Sequence, residues 1–300
     1  WASSNPAVAS VSSTGLVKGV AGGVATIMAT SEGKSGTAQV TVSAPVVSAS
    51  LAFQDGFDDG TYAAGAGGYR WVGAGGAVSR DVARSGSYSL KMTYAGNADL
   101  CADGMSEQRF QLGENLSEVW FEYYVYLPSG TDGLGNRFVH RKPVCGAQGD
   151  PNGVVSNNKW FALWANSYST EGDVQVVAEY ERVDDARSGV RVLGMDGDPR
   201  GMDATGTKSA PLIEESTRGR WVRMRIHAKT SSAPGANNGM VEVWRDDTLV
   251  YSLRNFDLVY PGGNNFFRNG YLLGWANSGF SQTTAVYLDD FKIFRSSPGW

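Results

Sequence analysis

Cysteine and histidine are nearly missing from this 300-residue chain, which has two of each. No apolar run approaches the roughly 20 residues a membrane-spanning helix needs, so membrane insertion is not expected. No secretory leader is recognisable either. The chain starts at Trp1 in mid-pattern, as a processed product or an excised piece of a longer protein would. Charge is sparse: 19% of residues are charged and the formal net charge is −4, which offers nucleic acid no electrostatic purchase. Also absent are a Gly-x-Ser-x-Gly elbow, a phosphate loop, a His-Glu-x-x-His pair and a Cys-rich zinc pattern. No organic cofactor is therefore expected. Convincing amphipathic helices are lacking too.

Glycine and aromatic residues fill the gap, with 39 glycines and 11% Phe, Trp and Tyr. That composition suits a globular β protein rich in turns. Residues 1–43 are small and β-branched, with no aromatic after Trp1. Val8-Ala-Ser-Val-Ser, Gly15-Leu-Val-Lys-Gly, Ala25-Thr-Ile-Met-Ala-Thr and Ala38-Gln-Val-Thr-Val-Ser read as short antiparallel strands between Gly and Ser-Gly breaks. Trp1-Ala-Ser-Ser-Asn-Pro-Ala-Val-Ala-Ser-Val-Ser and Gly15-Leu-Val-Lys-Gly-Val-Ala-Gly-Gly-Val-Ala-Thr-Ile resemble the group 2 bacterial immunoglobulin-like domain, about its last two-thirds. That resemblance implies a partial immunoglobulin-like β-sandwich and a secreted or cell-surface setting. Residues 44–50 read as a linker and 51–300 as a second domain.

From Leu51 onward about a dozen strand candidates follow. Val119-Trp-Phe-Glu-Tyr-Tyr-Val-Tyr-Leu127 sets Trp120, Glu122, Tyr124 and Tyr126 on one face and Phe121, Tyr123, Val125 and Leu127 on the other. Met240 to Tyr251 reads as a hairpin turning at Asp246-Asp247. The runs Leu51–Gly60 and Tyr271–Phe291 are expected to lie side by side and close a two-sheet sandwich or jelly roll.

Sugar sites combine aromatic surfaces with amide, carboxylate and guanidinium groups. The echo Leu163-Trp-Ala-Asn-Ser-Tyr168 and Gly274-Trp-Ala-Asn-Ser-Gly279 puts Trp164 beside Asn166 and Trp275 beside Asn277, as platforms with hydrogen-bonders or as two core tryptophans. Arg220 to Lys229 alternates a core face with a row of Trp221, Arg223, Arg225, His227 and Lys229. Such a row suits an anionic polymer, or else a solvated sheet whose cations pair with neighbouring carboxylates. His140, flanked by Arg141 and Lys142, has the chemistry of a general base or acid, as do Tyr124 and Tyr126. Glu179 and Glu181, about 7 Å apart on one strand face, are the weaker pair a glycosidase would use. Asp55, Asp58, Asp59, Asp289 and Asp290 would suit a structural calcium ion, since clustered carboxylates repel without a cation. Cys101 and Cys145 would pair in a secreted protein and stay free in a reducing compartment; the disulfide is the expectation.

Four stretches, Phe53-Gln-Asp-Gly-Phe-Asp-Asp-Gly, Glu118-Val-Trp-Phe-Glu-Tyr-Tyr-Val-Tyr, Gly239-Met-Val-Glu-Val-Trp-Arg-Asp-Asp and Tyr287-Leu-Asp-Asp-Phe, resemble the concanavalin-A-like jelly rolls of polysaccharide lyases of the heparin- and alginate-lyase type. The resemblance implies β-elimination on an acidic, uronate-containing polysaccharide, with His140, Tyr124, Tyr126, Arg141 and Arg223 as catalytic candidates. Trp164, Asn166, Trp275, Asn277, Arg225, His227 and Lys142 are the binding candidates. The Tyr-x-Lys-x-Gly-x-Tyr-x-Gln strand of alginate lyases is not reproduced: Tyr271-Leu-Leu-Gly-Trp-Ala-Asn277 lacks its Lys and has Trp275 near its second Tyr. A non-catalytic glycan-binding or structural surface module of the same fold is the alternative.

Overall fold

The structure, a computed structural model, describes residues 1–20, 23–42, 50–73, 75–99, 102–138, 158–166, 174–180, 191–193, 203–204, 207–208, 210, 212–259, 262–276 and 279–300. It divides into two compact units, Trp1–Ser48 and Ala49–Pro298, with Trp300 belonging to the second. In the first, β1 (Ala2–Ser3), β2 (Ala9–Val11), β3 (Val17–Gly19), β4 (Gly23–Ser31) and β5 (Lys34–Val42) follow the small-residue strands read from sequence. β1, β4 and β5 form one antiparallel sheet, and β2 pairs with β3. Its core is small: Ala9, Ala25 and Ile27 are buried, with Val8, Val11, Val40 and Val42 against them. The β4–β5 hairpin turns on Glu32-Gly33, both at positive φ (50° and 75°), the two-residue turn whose twist matches its strands.

The second unit begins with β6 (Leu51–Asp55), β7 (Arg70–Val72), β8 (Ala77–Ser79), β9 (Ser89–Tyr94), β10 (Gly104–Leu116) and β11 (Glu118–Tyr126). Next come β12 (Asn158–Trp164), β13 (Gln175–Tyr180), β14 (Arg191–Leu193), β15 (Asp203–Ala204) and β16 (Thr207–Lys208), then a 3-10 turn at Glu215–Thr217. β17 (Trp221–Lys229), β18 (Gly239–Arg245), β19 (Thr248–Phe256), β20 (Phe267–Ala276) and β21 (Thr284–Phe294) complete it. Seven strands form one sheet in the order β15-β14-β13-β12-β20-β10-β7. Nine form the other, in the order β16-β19-β18-β17-β11-β21-β9-β8, with β6 also paired to β21. The first and last strands do lie side by side, Asp55 opposite Phe291.

Alternation dictates what fills the space between the sheets. Phe110 and Leu112 of β10, Phe161 and Leu163 of β12, and Phe121, Tyr123 and Val125 of β11 all point inward and are buried. Ring centroids meet across the layer: Phe110 is 5.5 Å from Phe121 and 5.4 Å from Phe291, and Phe121 is 4.9 Å from Phe161. Truncating one such ring to Ala costs about 3–5 kcal/mol, because a packed interior cannot collapse into the hole. Each sheet therefore presents its other face outward, and the two outward faces lie on opposite sides of the sandwich.

Candidate active site

On the outward face of the seven-stranded sheet, β10 alternates Glu107, Arg109 and Gln111 with the buried Gln108 and Phe110. β20 offers Asn269 and Tyr271 on the same side. Register puts Arg109 directly opposite Tyr271, and Tyr271 opposite Ala162 of β12. One row along, Gln111, Asn269 and Trp164 align in the same way. Tyr271 is only 1% exposed and packs with Trp164 and Ala162, its ring centroid 5.6 Å from that of Trp164. The Arg109 guanidinium lies 5.7 Å from the Trp164 ring centroid and its Nε pairs with Glu107. The Asn269 side-chain amide donates to the carbonyl of Ala165 at 2.6 Å.

A bulge shapes this place. Leu273 has φ 56°, and both it and Leu272 join the core, so the alternation of β20 breaks there. The register with β12 shifts over the same stretch. Gly274 follows at φ 151°; a Cβ on it would stand 2.9 Å from Cε2 of Tyr271 and 3.3 Å from Cβ of Lys159. The missing side chain thus leaves room for the Tyr271 ring, with Lys159 beside it. Beyond the bulge Trp275 returns outward, 43% exposed, its indole N–H donating to Asp103 at 2.7 Å. A phenol and a guanidinium beside an aromatic ring can neutralise a carboxylate and move a proton next to it.

The expected site residues divide between the two outward faces. Trp164 and Trp275 belong to the seven-stranded sheet, with Asn166 two residues past the end of β12, whereas Tyr124, Tyr126, Arg223, Arg225 and His227 lie on β11 and β17 of the other. They do not form one constellation. On the nine-stranded sheet the cations are matched by carboxylates: Arg223 with Asp247, Arg225 with Glu122 and Asp247, Lys292 with Glu122, Lys229 with Glu118. His227 stacks on Trp120 with centroids 4.6 Å apart, and its Nε2 is 2.9 Å from Glu118. The Tyr126 hydroxyl donates to Asp132 at 3.1 Å. Burial first, then that bond and the charge of Asp132, push its pKa up to about 12, which suits a fixed donor rather than a base. Arg84 sits over the Tyr124 ring, 3.6 Å from its centroid. His140, Arg141, Lys142, Asn277, Cys101, Cys145 and Glu181 lie outside the described residues, as does the Glu179 side chain.

Pairing of β6 with β21 draws the acidic residues into one region, yet donors of the protein hold most of them. Asp55 accepts from the N–H groups of Phe57 and Ala63, both at 2.7 Å, and from the Trp71 indole at 2.6 Å. Asp59 accepts from Thr61, Asp289 from the N–H groups of Arg84 and Asp290, and Asp290 pairs with Arg84. Asp58, Asp59 and Asp290 line a cleft of about 350 Å³ together with Lys292. Among the described residues no group of three or more His, Cys, Asp or Glu is placed to hold a metal ion. Protein donors hold Asp55 and Asp289, whereas the carboxylates of Asp58 and Asp290 both approach Gly56, where a Cβ would stand 3.0 Å from one and 3.5 Å from the other. Burial lifts the Asp289 carboxyl from 3.8 to about 6, against the hydrogen bonds it accepts.

Tyr271, Arg109 and Lys159 were not singled out from sequence. The signal was present in Phe267-Arg-Asn-Gly-Tyr271, where Asn269 and Tyr271 alternate with Gly270, but the bulge hides the period. Residues 63–292 match the model of the polysaccharide lyase family, and residues 1–42 that of the group 2 bacterial Ig-like domain. No curated protein matches the chain. Among solved structures, a mutant of alginate lyase Aly36B in complex with alginate trisaccharide is similar at 11% identity and TM-score 0.53, over 82% of this chain and 98% of that one. Others are the endo-β-1,4-glucuronan lyase of the fungus Trichoderma reesei (14%, TM-score 0.47, over 74% and 87%) and alginate lyase vAL-1 from Chlorella virus (13%, TM-score 0.49, over 77% and 94%). The sandwich is a jelly roll of this class, and an immunoglobulin-like unit precedes it.

Proposed function

This chain belongs to the polysaccharide lyase family, and from that premise we propose that it cleaves an acidic, uronate-containing polysaccharide by β-elimination on the outward face of the seven-stranded sheet. The reading rests on Arg109 standing directly opposite Tyr271 beside Trp164 and Lys159. Arg109 would neutralise the uronate carboxylate, lowering the cost of charge that develops when the C5 proton leaves. A base takes that proton, the C4–O bond breaks as the C4=C5 bond forms, and the departing oxygen receives a proton. Tyr271 would supply proton transfer, and Asn269 and Gln111 would hold the sugar, with the buried Trp164 backing the Tyr271 ring. His140, in the connection from β11 to β12, is the candidate base, with Arg141 and Lys142 beside it in sequence.

The similar structure titled alginate lyase Aly36B in complex with alginate trisaccharide supports a uronate substrate. The immunoglobulin-like unit supports a secreted or surface setting, which fractionation of the producing cells would check. Incubation with alginate, glucuronan, pectin and heparan-type polymers tests the chemistry. An unsaturated uronate absorbs in the ultraviolet, and its appearance with wild type but not with Tyr271→Phe is the expected result. Wild-type protein that yields none on any of the four would remove the lyase reading and leave a glycan-binding module.

A further inference from the structure

Four residues past Tyr271 on the same strand, Trp275 is 43% exposed, and the residue opposite it on β10, Met105, is 55% exposed. Large apolar groups are costly to leave in water, and single ones are common, but here two face each other in register. The Trp275 indole is not free to fold back, because its N–H is tied to Asp103 at 2.7 Å. A tethered indole beside a polarizable thioether presents a flat apolar surface of fixed orientation. Arg109 lies four residues from Met105 on β10, as Tyr271 does from Trp275 on β20. The two pairs therefore form parallel rows, roughly 13 Å apart along the strands at the usual rise per residue. Glu107 stands between them, with its charge met by Arg109.

We propose that Trp275 and Met105 form a distal subsite, where one sugar ring of the polymer stacks while another is held between Arg109 and Tyr271. This rests on the lyase reading for the second ring but not for the first. The apolar face of a pyranose covers the indole, and Asp103, besides fixing the indole, accepts from the ring's hydroxyl rim. The separation exceeds one sugar residue, so short oligosaccharides that fill the Arg109–Tyr271 row cannot reach the platform. Affinity should then rise with chain length, and the gain should vanish without Trp275.

The test compares wild type, Trp275→Ala and Trp275→Phe, first by retardation in gels containing alginate, glucuronan, pectin or heparan sulfate, then by rates on oligosaccharides of increasing length. Trp275 is exposed, so both variants should fold; circular dichroism checks it. The expected result is a KM on polymer raised about threefold to tenfold in Trp275→Ala, the scale of one aromatic face contact, with kcat and the rates on the shortest substrates unchanged. Trp275→Phe should restore most of the loss. Elimination with an unchanged KM in Trp275→Ala would overturn the subsite and leave the lyase standing. Retardation that depends on Trp275 without any elimination would support the subsite and count against the lyase reading. Absence of retardation for wild type on all four polymers would overturn the subsite.

Discussion

Tyr271 faces Arg109 across two hydrogen-bonded strands, so its hydroxyl can be removed while its ring keeps its packing against Trp164. Tyr271→Phe should lower kcat by about 10²–10⁴-fold, the range of a lost proton-transfer group, and cost about 1 kcal/mol of stability. Arg109→Ala should lower kcat/KM by about 10²–10³-fold, as loss of a charge-stabilising donor does. Tyr126→Phe should behave differently, losing only its bond to Asp132 and keeping activity. A fourth outcome concerns pH. Asp289 has its folded pKa raised to about 6 by burial. Between pH 4 and 6 the folded state therefore holds more protons than the unfolded one, and unfolding free energy falls as pH rises. The loss is of order 3 kcal/mol, complete above pH 6 and absent below the unfolded value of 3.8. Denaturant titrations across that range should show the step in wild type and not in Asp289→Asn.

At the scale of elements, the cationic row of β17 and the bulge of β20 show what sequence can and cannot convey. Alternation on β11 and β17 was legible, because inward and outward residues differ in kind: Val222, Met224 and Ile226 are buried and Arg223 and Arg225 are not. Their partners were not legible. Glu122 and Asp247 come from other strands and turns, and only register brings them to Arg225. Arg225→Ala should accordingly destabilise the fold, leaving Glu122 short of a partner, and leave KM for polymer unchanged. The site row was hidden for a related reason. Tyr271, Arg109 and Lys159 come from three strands, and Leu273 at φ 56° breaks the period that would have flagged β20. The acidic turns were visible as clusters, but the N–H groups that hold Asp55 and Asp289 were not.

For the whole molecule, the division of labour follows from core size. Among the described residues, the first unit buries three hydrophobic side chains and the second an aromatic layer between two sheets. The fold class was readable because strand period, turn residues and the opening and closing strands all agreed; which outward face carries chemistry was not, since both are decorated with Trp, Tyr and Arg. A variant of residues 49–300 should fold and keep whatever activity the full chain has. The central claim, that the chemistry belongs to Tyr271 and Arg109 rather than to β17, is tested most directly by one comparison. Ultraviolet absorbance should be followed on alginate, glucuronan, pectin and heparan-type polymers with wild type, Tyr271→Phe and Arg223→Ala. The account predicts signal from wild type and from Arg223→Ala, and almost none from Tyr271→Phe. Signal lost in Arg223→Ala and retained in Tyr271→Phe, with both variants folded, would contradict it and move the site to the other sheet.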